Sequence, residues 1–451
     1  MSFETNLENL PQPPIEQLPE QLPEQLLERA IAAGADAAEI YQTRSLETPV
    51  IFEGNRLKQV ETTQAEGVAL RLWQNGKPGL AVGYGPIDPQ LLVEKALAIS
   101  TLNEPETPQL AAGTTRDFGA VGEPMAIEQL VEKGKEAIAL IREQVPEIVC
   151  EASLSCDREQ VRLLTSTGLD YRWQDTTLSG YISAELVNQN DFLCVGDGTA
   201  NRNQLDMTAV ANSINQRLTW AERTVDPING QLPVIFTADA AGLLWDTLRA
   251  ALNGKRVKEG TSPWIEKWGD RVLSDRLTLR QDPTTGPYSC PFDDEGLLTQ
   301  PLTFIENGLL KSWFHDLTTG ATKADLPGFN VGSTGNGIRP GLGSYPTPGL
   351  INLLIAPGDL SWDTLIAQQS DAIIVDQVMG EGGDITGDLS INLELGYRVS
   401  QGEIIGRVKN TMVSGNAYTA LKNLIALGSD TDWSGSTYSP SLVVGGLSIT
   451  S

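Results

Sequence analysis

The chain has 451 residues, 40% of them hydrophobic, and sets 58 Asp and Glu against 32 Lys and Arg. That composition supports a buried core, while a formal charge of −26 argues against the phosphates of nucleic acid or an anionic membrane surface as partners. One histidine, His315, excludes HExxH zincins and every zinc site built on two imidazoles.

Residues 1–24 form a Pro/Gln/Glu-rich arm in which QLPE occurs twice, and its prolines forbid one continuous helix. The amphipathic run Leu26–Ala33, closed by Gly34, predicts a short helix. Val68, Leu70 and Leu72 alternate, Asn75-Gly76 supplies a turn, and Leu80, Val82 and Tyr84 alternate on the return, which predicts a hairpin. Leu91–Ile99 reads as a helix, Asn103–Glu123 as a loop, and Ile127, Leu130, Val131, Ile138 and Ile141 make one helical stripe. A second hairpin turns at Ser166-Thr167-Gly168. The interval 185–230 reads as polar, with Gly196-Asp197-Gly198 as a turn, and Asp226-Pro227 marks a boundary.

After it come a strand over Pro233–Phe236 and a helix over Asp239–Asn253, with Thr237 and Gly254 as candidate caps. Strands and glycine turns then dominate up to a last helix, which holds Tyr418, Leu421, Leu424 and Ile425 and ends at Gly428. The expected fold is α+β. Helices and antiparallel hairpins occupy 25–228, and a β-rich domain occupies 229–451.

The opening MSFETNLENL carries acid where a secretory signal needs base, and no stretch reaches the ~18 apolar residues of a membrane span. A cytoplasmic chain is expected. Cys150, Cys156, Cys194 and Cys290 contain no CxxC pair and read as buried reduced thiols.

Walker A, GxGxxG and GxSxG motifs are all missing from the sequence. Phe292–Gly296 places three carboxylates in a turn without EF-hand spacing. The loop Gly380–Asp388 mixes glycine with acid and reads equally as a functional loop or a structural bulge. His315 lies between apolar residues in an expected strand and reads as a hydrogen-bonded structural histidine.

An ordered set of short motifs resembles the TldD/PmbA family. It comprises FDDEG at Phe292–Gly296, FIENG at Phe304–Gly308, STGNG at Ser333–Gly337, DITGDLS at Asp384–Ser390 and SGN at Ser414–Asn416. The resemblance implies a C-terminal β-rich domain related to metallopeptidases. One branch, TldD, holds zinc with an HExxxH helix and a distant cysteine. The other, PmbA or TldE, lacks those ligands and pairs with TldD to cleave unfolded or modified peptides.

Counting back from Gly260-Thr261-Ser262, the HExxxH window falls on Trp245–Ala250. Trp245 and Ala250 take the two histidine positions and Asp246 the glutamate position, while the tail around Asp432–Ser436 has no cysteine. Neither indole nor methyl ligates zinc. The resemblance is therefore to the PmbA/TldE branch, with no metal or other cofactor expected. The expected partners are a TldD-like zinc subunit, or a second copy of this chain, and an unfolded peptide. Direct nucleic-acid or membrane contact is not expected. Asp294, Glu295, Ser333, Asn336 and Asp388 are the candidate peptide-binding residues. Two other readings stand beside this one: a self-sufficient hydrolase with a site of its own, and a homo-oligomeric peptide-binding scaffold.

Overall fold

A computed structural model describes residues 21–188, 191–321, 327–329, 331–380 and 384–451. Most of the expected arm, and Glu381–Gly383 of the glycine-acid loop, lie outside these residues. The first helix runs Leu22–Ala32, starting four residues before the apolar run. Pro23 sits in its first turn, where a missing N–H costs no hydrogen bond.

Among the described residues the N-terminal part builds a nine-stranded sheet. Its organiser is Val149–Thr165, which pairs along one edge with Asp170–Asn188. Its other edge is shared by Pro49–Glu53 and Ala37–Glu47. The expected first hairpin forms from Thr63–Gln74 and Lys77–Tyr84, with Asn75 and Gly76 both at positive φ. The expected loop after residue 103 instead holds a strand, Thr115–Val121, parallel to Asp170–Asn188.

The C-terminal part builds a thirteen-stranded mixed sheet. Val234–Phe236 lies inside it, parallel to Asp371–Met379 on one side and antiparallel to Thr437–Val444 on the other. Strand alternation divides its side chains between two cores. Ile235, Ile374, Tyr397 and Val443 share a core with the helices Ile127–Gln144 and Met207–Ala221 and with the N-terminal sheet. Val234, Phe236, Ile373, Leu442 and Val444 face the other way, toward the helix Gly242–Leu252.

Several expectations change here. The interval 185–230 holds the strand Asp191–Asn201 and the helix Met207–Ala221. That helix buries Met207, Val210, Ala211, Ile214, Leu218 and Ala221, a 3.6-residue stripe diluted by polar neighbours. Gly196-Asp197-Gly198 is strand rather than turn; a Cβ on Gly196 would stand 2.0 Å from the Tyr181 hydroxyl oxygen. The last helix is short, Ala417–Lys422, and Leu424–Ser434 is a strand. His315 is not in a strand but precedes a helical turn, Leu317–Gly320.

Candidate functional site

The helix Gly242–Leu252 follows a turn in which Thr237 Oγ1 accepts the Ala240 N–H at 3.2 Å. Trp245 is 0% exposed and its indole N–H donates to Ser439 Oγ at 2.8 Å. Asp246 is exposed and lies 3.8 Å from Arg249. Ala250 is half-buried. Arg249 reaches across to the hydroxyls of Ser436 (3.0 Å) and Thr437 (2.6 Å). An indole and a guanidinium thus stand where the helix meets the strand Thr437–Val444, and Ala250 offers only a methyl. Burial lowers the arginine's pKa while Asp246 opposes that shift. This donor set does not fit zinc. Among the described residues no group of three or more His, Cys, Asp or Glu side chains is placed to hold a metal ion.

The hairpin bearing Ser436 and Ser439 also forms one wall of a cavity of about 700 Å3 between the two sheets. Tyr181 and Asp197 come from the N-terminal sheet, and Arg217 and Trp220 from the helix Met207–Ala221. Asp239, Trp362, Asp363 and the stretch Asp430–Gly435 come from the C-terminal part. Arg217 anchors the floor: Nη1 donates to the Gly196 carbonyl at 2.9 Å, and ion pairs join it to Asp197 (3.8 Å) and buried Asp376 (3.5 Å). Burial pushes the Asp376 carboxyl up to about 6, against the pull of Arg217. Trp220 and Trp362 stack at 5.8 Å. Asp239 accepts the Ser434 hydroxyl at 2.5 Å, and Asp430 accepts that of Ser441 at 2.6 Å.

None of the five residues singled out for peptide binding lines this cavity. Asp294 accepts the Tyr41 hydroxyl (2.8 Å) and the Arg339 N–H (2.7 Å), and Glu295 accepts the Leu317 N–H at 2.7 Å. Asn336 is fully buried and donates to Gln281 (2.7 Å) and to the Gly349 carbonyl (2.8 Å). Half-buried Ser333 donates to the His315 carbonyl at 3.1 Å. Asp388 is exposed and accepts from Asn416 at 3.1 Å.

Beside Asp294, Asp293 accepts three backbone N–H groups, from Glu295 (3.1 Å), Leu297 (2.9 Å) and Gly337 (2.8 Å). FDDEG and STGNG are therefore two halves of one knot. A Cβ on Gly337 would stand 2.2 Å from the Glu295 carboxylate. Burial pushes Asp293 up to about 7 and Glu295 up to about 8. The knot also joins the sheets. Arg339 pairs with Glu39 of the N-terminal sheet, which holds Arg71 at 2.7 Å, and Phe292 packs on Tyr171 and Phe118.

His315 is 1% exposed, with Nε2 3.0 Å from the Gly328 carbonyl and Nδ1 3.3 Å from Thr319 Oγ1. Burial lowers its pKa. The cavity residues are scattered along the chain, so no local stretch of sequence gathers them. The one available signal was the apolar periodicity from Met207 to Ala221.

Two models of one family match the chain: the PmbA/TldA metallopeptidase C-terminal domain over residues 229–451, and domain 1 over residues 38–100. An uncharacterized protein of Methanocaldococcus jannaschii is 26% identical over 90% of this chain and 95% of its own length. The metalloprotease PmbA of Escherichia coli O157:H7 is 29% identical over 201 residues, 44% of this chain and 41% of that one. The crystal structure of TldE from Thermococcus kodakarensis superposes with a TM-score of 0.85 at 23% identity, covering 95% of this chain and all of that one, and so shares the fold. No helix among the described residues is long and apolar enough to cross a membrane. With matches over both its N-terminal sheet and its whole C-terminal part, the chain belongs to the PmbA/TldD family of metallopeptidase-like proteins.

Proposed function

We propose that this chain is the non-catalytic, TldE-like subunit of a peptidase, pairing with a TldD-like zinc subunit that cleaves unfolded or modified peptides. In this reading residues 25–228 form the N-terminal domain and 229–451 the C-terminal one. The observation that carries it is the seal at Trp245. The indole is fully buried on Ser439, and Arg249 fills the adjoining space against Ser436 and Thr437. A fixed cation beside a buried indole repels a dication and offers it no lone pair.

The cavity supports the peptide half of the reading. Among the described residues, Asp191–Asn201 pairs with no strand but Asp170–Asn188; on its other edge Gln377 and Arg217 hold the Gly196 N–H and carbonyl and Asp197 the Gly198 N–H, which leaves the stretch beyond Gly198 on the cavity wall for a peptide. An extended peptide adds to such an edge through backbone hydrogen bonds, which suits unfolded substrates of mixed sequence. The test is cleavage of an unfolded polypeptide by three samples: this chain, a TldD-like chain with intact HExxxH, and the mixture. No cleavage by this chain alone and faster cleavage by the mixture than by the zinc subunit alone are expected. Equal rates for the last two would break the proposal.

A further inference from the structure

The cavity's charge is lopsided. Five carboxylates line it, from Asp197, Asp239, Asp363, Asp430 and Asp432, against one guanidinium. That guanidinium, Arg217, already lies within 3.8 Å of Asp197 and 3.5 Å of buried Asp376. Among the described residues Asp239, Asp363, Asp430 and Asp432 have no cationic partner within 4 Å, and three of them, Asp239, Asp363 and Asp432, are exposed. A concave wall of one sign focuses its field into the cleft and concentrates ligands of the opposite sign there.

Two further observations say what such a ligand is. The carboxylates do not converge: among the described residues no three acids are placed to hold one metal ion. They suit positive charges spaced along a chain. Between them stand Trp220, Trp362, Trp433 and Tyr181, the last 51% exposed. Aromatic faces receive the apolar stems of lysine and arginine and attract their charged ends.

We propose that this cleft selects cationic peptide segments, seating Lys and Arg side chains among Asp239, Asp363, Asp430 and Asp432 against the Trp220–Trp362 stack. The inference rests on the peptide-binding reading above and adds the substrate class to it. The chain's overall charge of −26 acts in the same direction at long range, steering basic segments toward the cleft.

The test is equilibrium binding of two labelled unfolded peptides of equal length, one rich in Lys and Arg and one in Glu. Binding is measured to the full chain and to its mixture with a TldD-like subunit. The basic peptide is expected to bind at least about tenfold tighter, and raising salt from about 50 to about 300 mM is expected to weaken it. The double variant Asp363→Asn with Asp432→Asn is expected to lose about tenfold for the basic peptide alone. Glu403→Gln, an exposed acid outside the cavity, is expected to leave binding unchanged. Equal affinity for the two peptides, or an unchanged double variant, overturns the charge selectivity and leaves the peptide reading standing. Binding of neither peptide by either sample overturns both.

Discussion

The chain holds two acidic groups of opposite character. In the Phe292–Gly296 turn Asp293 and Glu295 are buried and Asp294 is half-buried, and each of the three carboxylates is held by hydrogen bonds from within the chain. In the cavity, five carboxylates from four separate stretches line the open space, three of them exposed. The first group tightens a joint between the two sheets, and the second forms a wall. Density of charge in the sequence does not mark a site. What each oxygen is bonded to does.

The comparison breaks most readily at Asp293. Its carboxylate, 1% exposed, satisfies three backbone N–H groups, and Asp293→Ala would leave all three buried without an acceptor. A loss of about 4 kcal/mol is expected in denaturant unfolding. A loss below about 1 kcal/mol would show that the knot is dispensable and that its acids are free for another role.

The buried group also predicts a pH dependence of definite sign. Folding raises Asp293 and Glu159 to about 7 and Glu295 to about 8, in each case chiefly by desolvation. The folded chain therefore binds protons that the unfolded chain releases above its ordinary carboxylate range. The stabilisation is complete below that range and is lost as pH rises through 7 to 8. Roughly two protons held at pH 7 by the folded chain alone set the slope, so stability is expected to fall by about 2.5 kcal/mol per pH unit between pH 6 and 8, read as a falling Tm. Glu295→Gln should flatten the upper part of the profile. A Tm that rises over that interval would contradict the desolvation of these carboxyls.

How much of this was legible follows from the same contrast. Asn75-Gly76 between alternating apolar strands announced its hairpin because turn chemistry is local. Within the expected helix Asp239–Asn253, Leu244, Leu248, Ala251 and Leu252 recur at helical spacing, and all four are fully buried. The family motifs were visible as short words, yet their meaning is structural and long-range. FDDEG closes on STGNG through Gly337. DITGDLS closes on SGN, where Asn416 bonds both the Thr386 carbonyl (3.0 Å) and Asp388 (3.1 Å).

The expected last helix takes in Leu424 and Ile425, which instead begin the strand Leu424–Ser434, since a short apolar run fits either period. Polar residues dilute the apolar stripe of the helix Met207–Ala221, so neither the helix nor its placing of Arg217 and Trp220 at the cavity stands out in the sequence. No local window contains Asp239 and Asp432 together. Only the pairing of Val234–Phe236 with Thr437–Val444 brings their neighbourhoods into one wall.

The smallest expected effect sharpens the comparison from the other side. Asp363 lies in the first turn of the helix Trp362–Ala367, where a negative charge gains a few tenths of a kcal/mol from the helix dipole. Asp432 accepts the Trp433 N–H at 2.7 Å, and an asparagine oxygen can accept the same bond. Converting both to Asn removes two like charges from a wall that already carries an excess, which offsets the lost dipole interaction. The double variant is therefore expected to keep its unfolding free energy within about 0.5 kcal/mol of the parent. Asp293→Ala loses most of an order of magnitude more. A large loss for the double variant would mean that the cavity acids, like those of the knot, hold the fold together, and the distinction between the two groups would collapse.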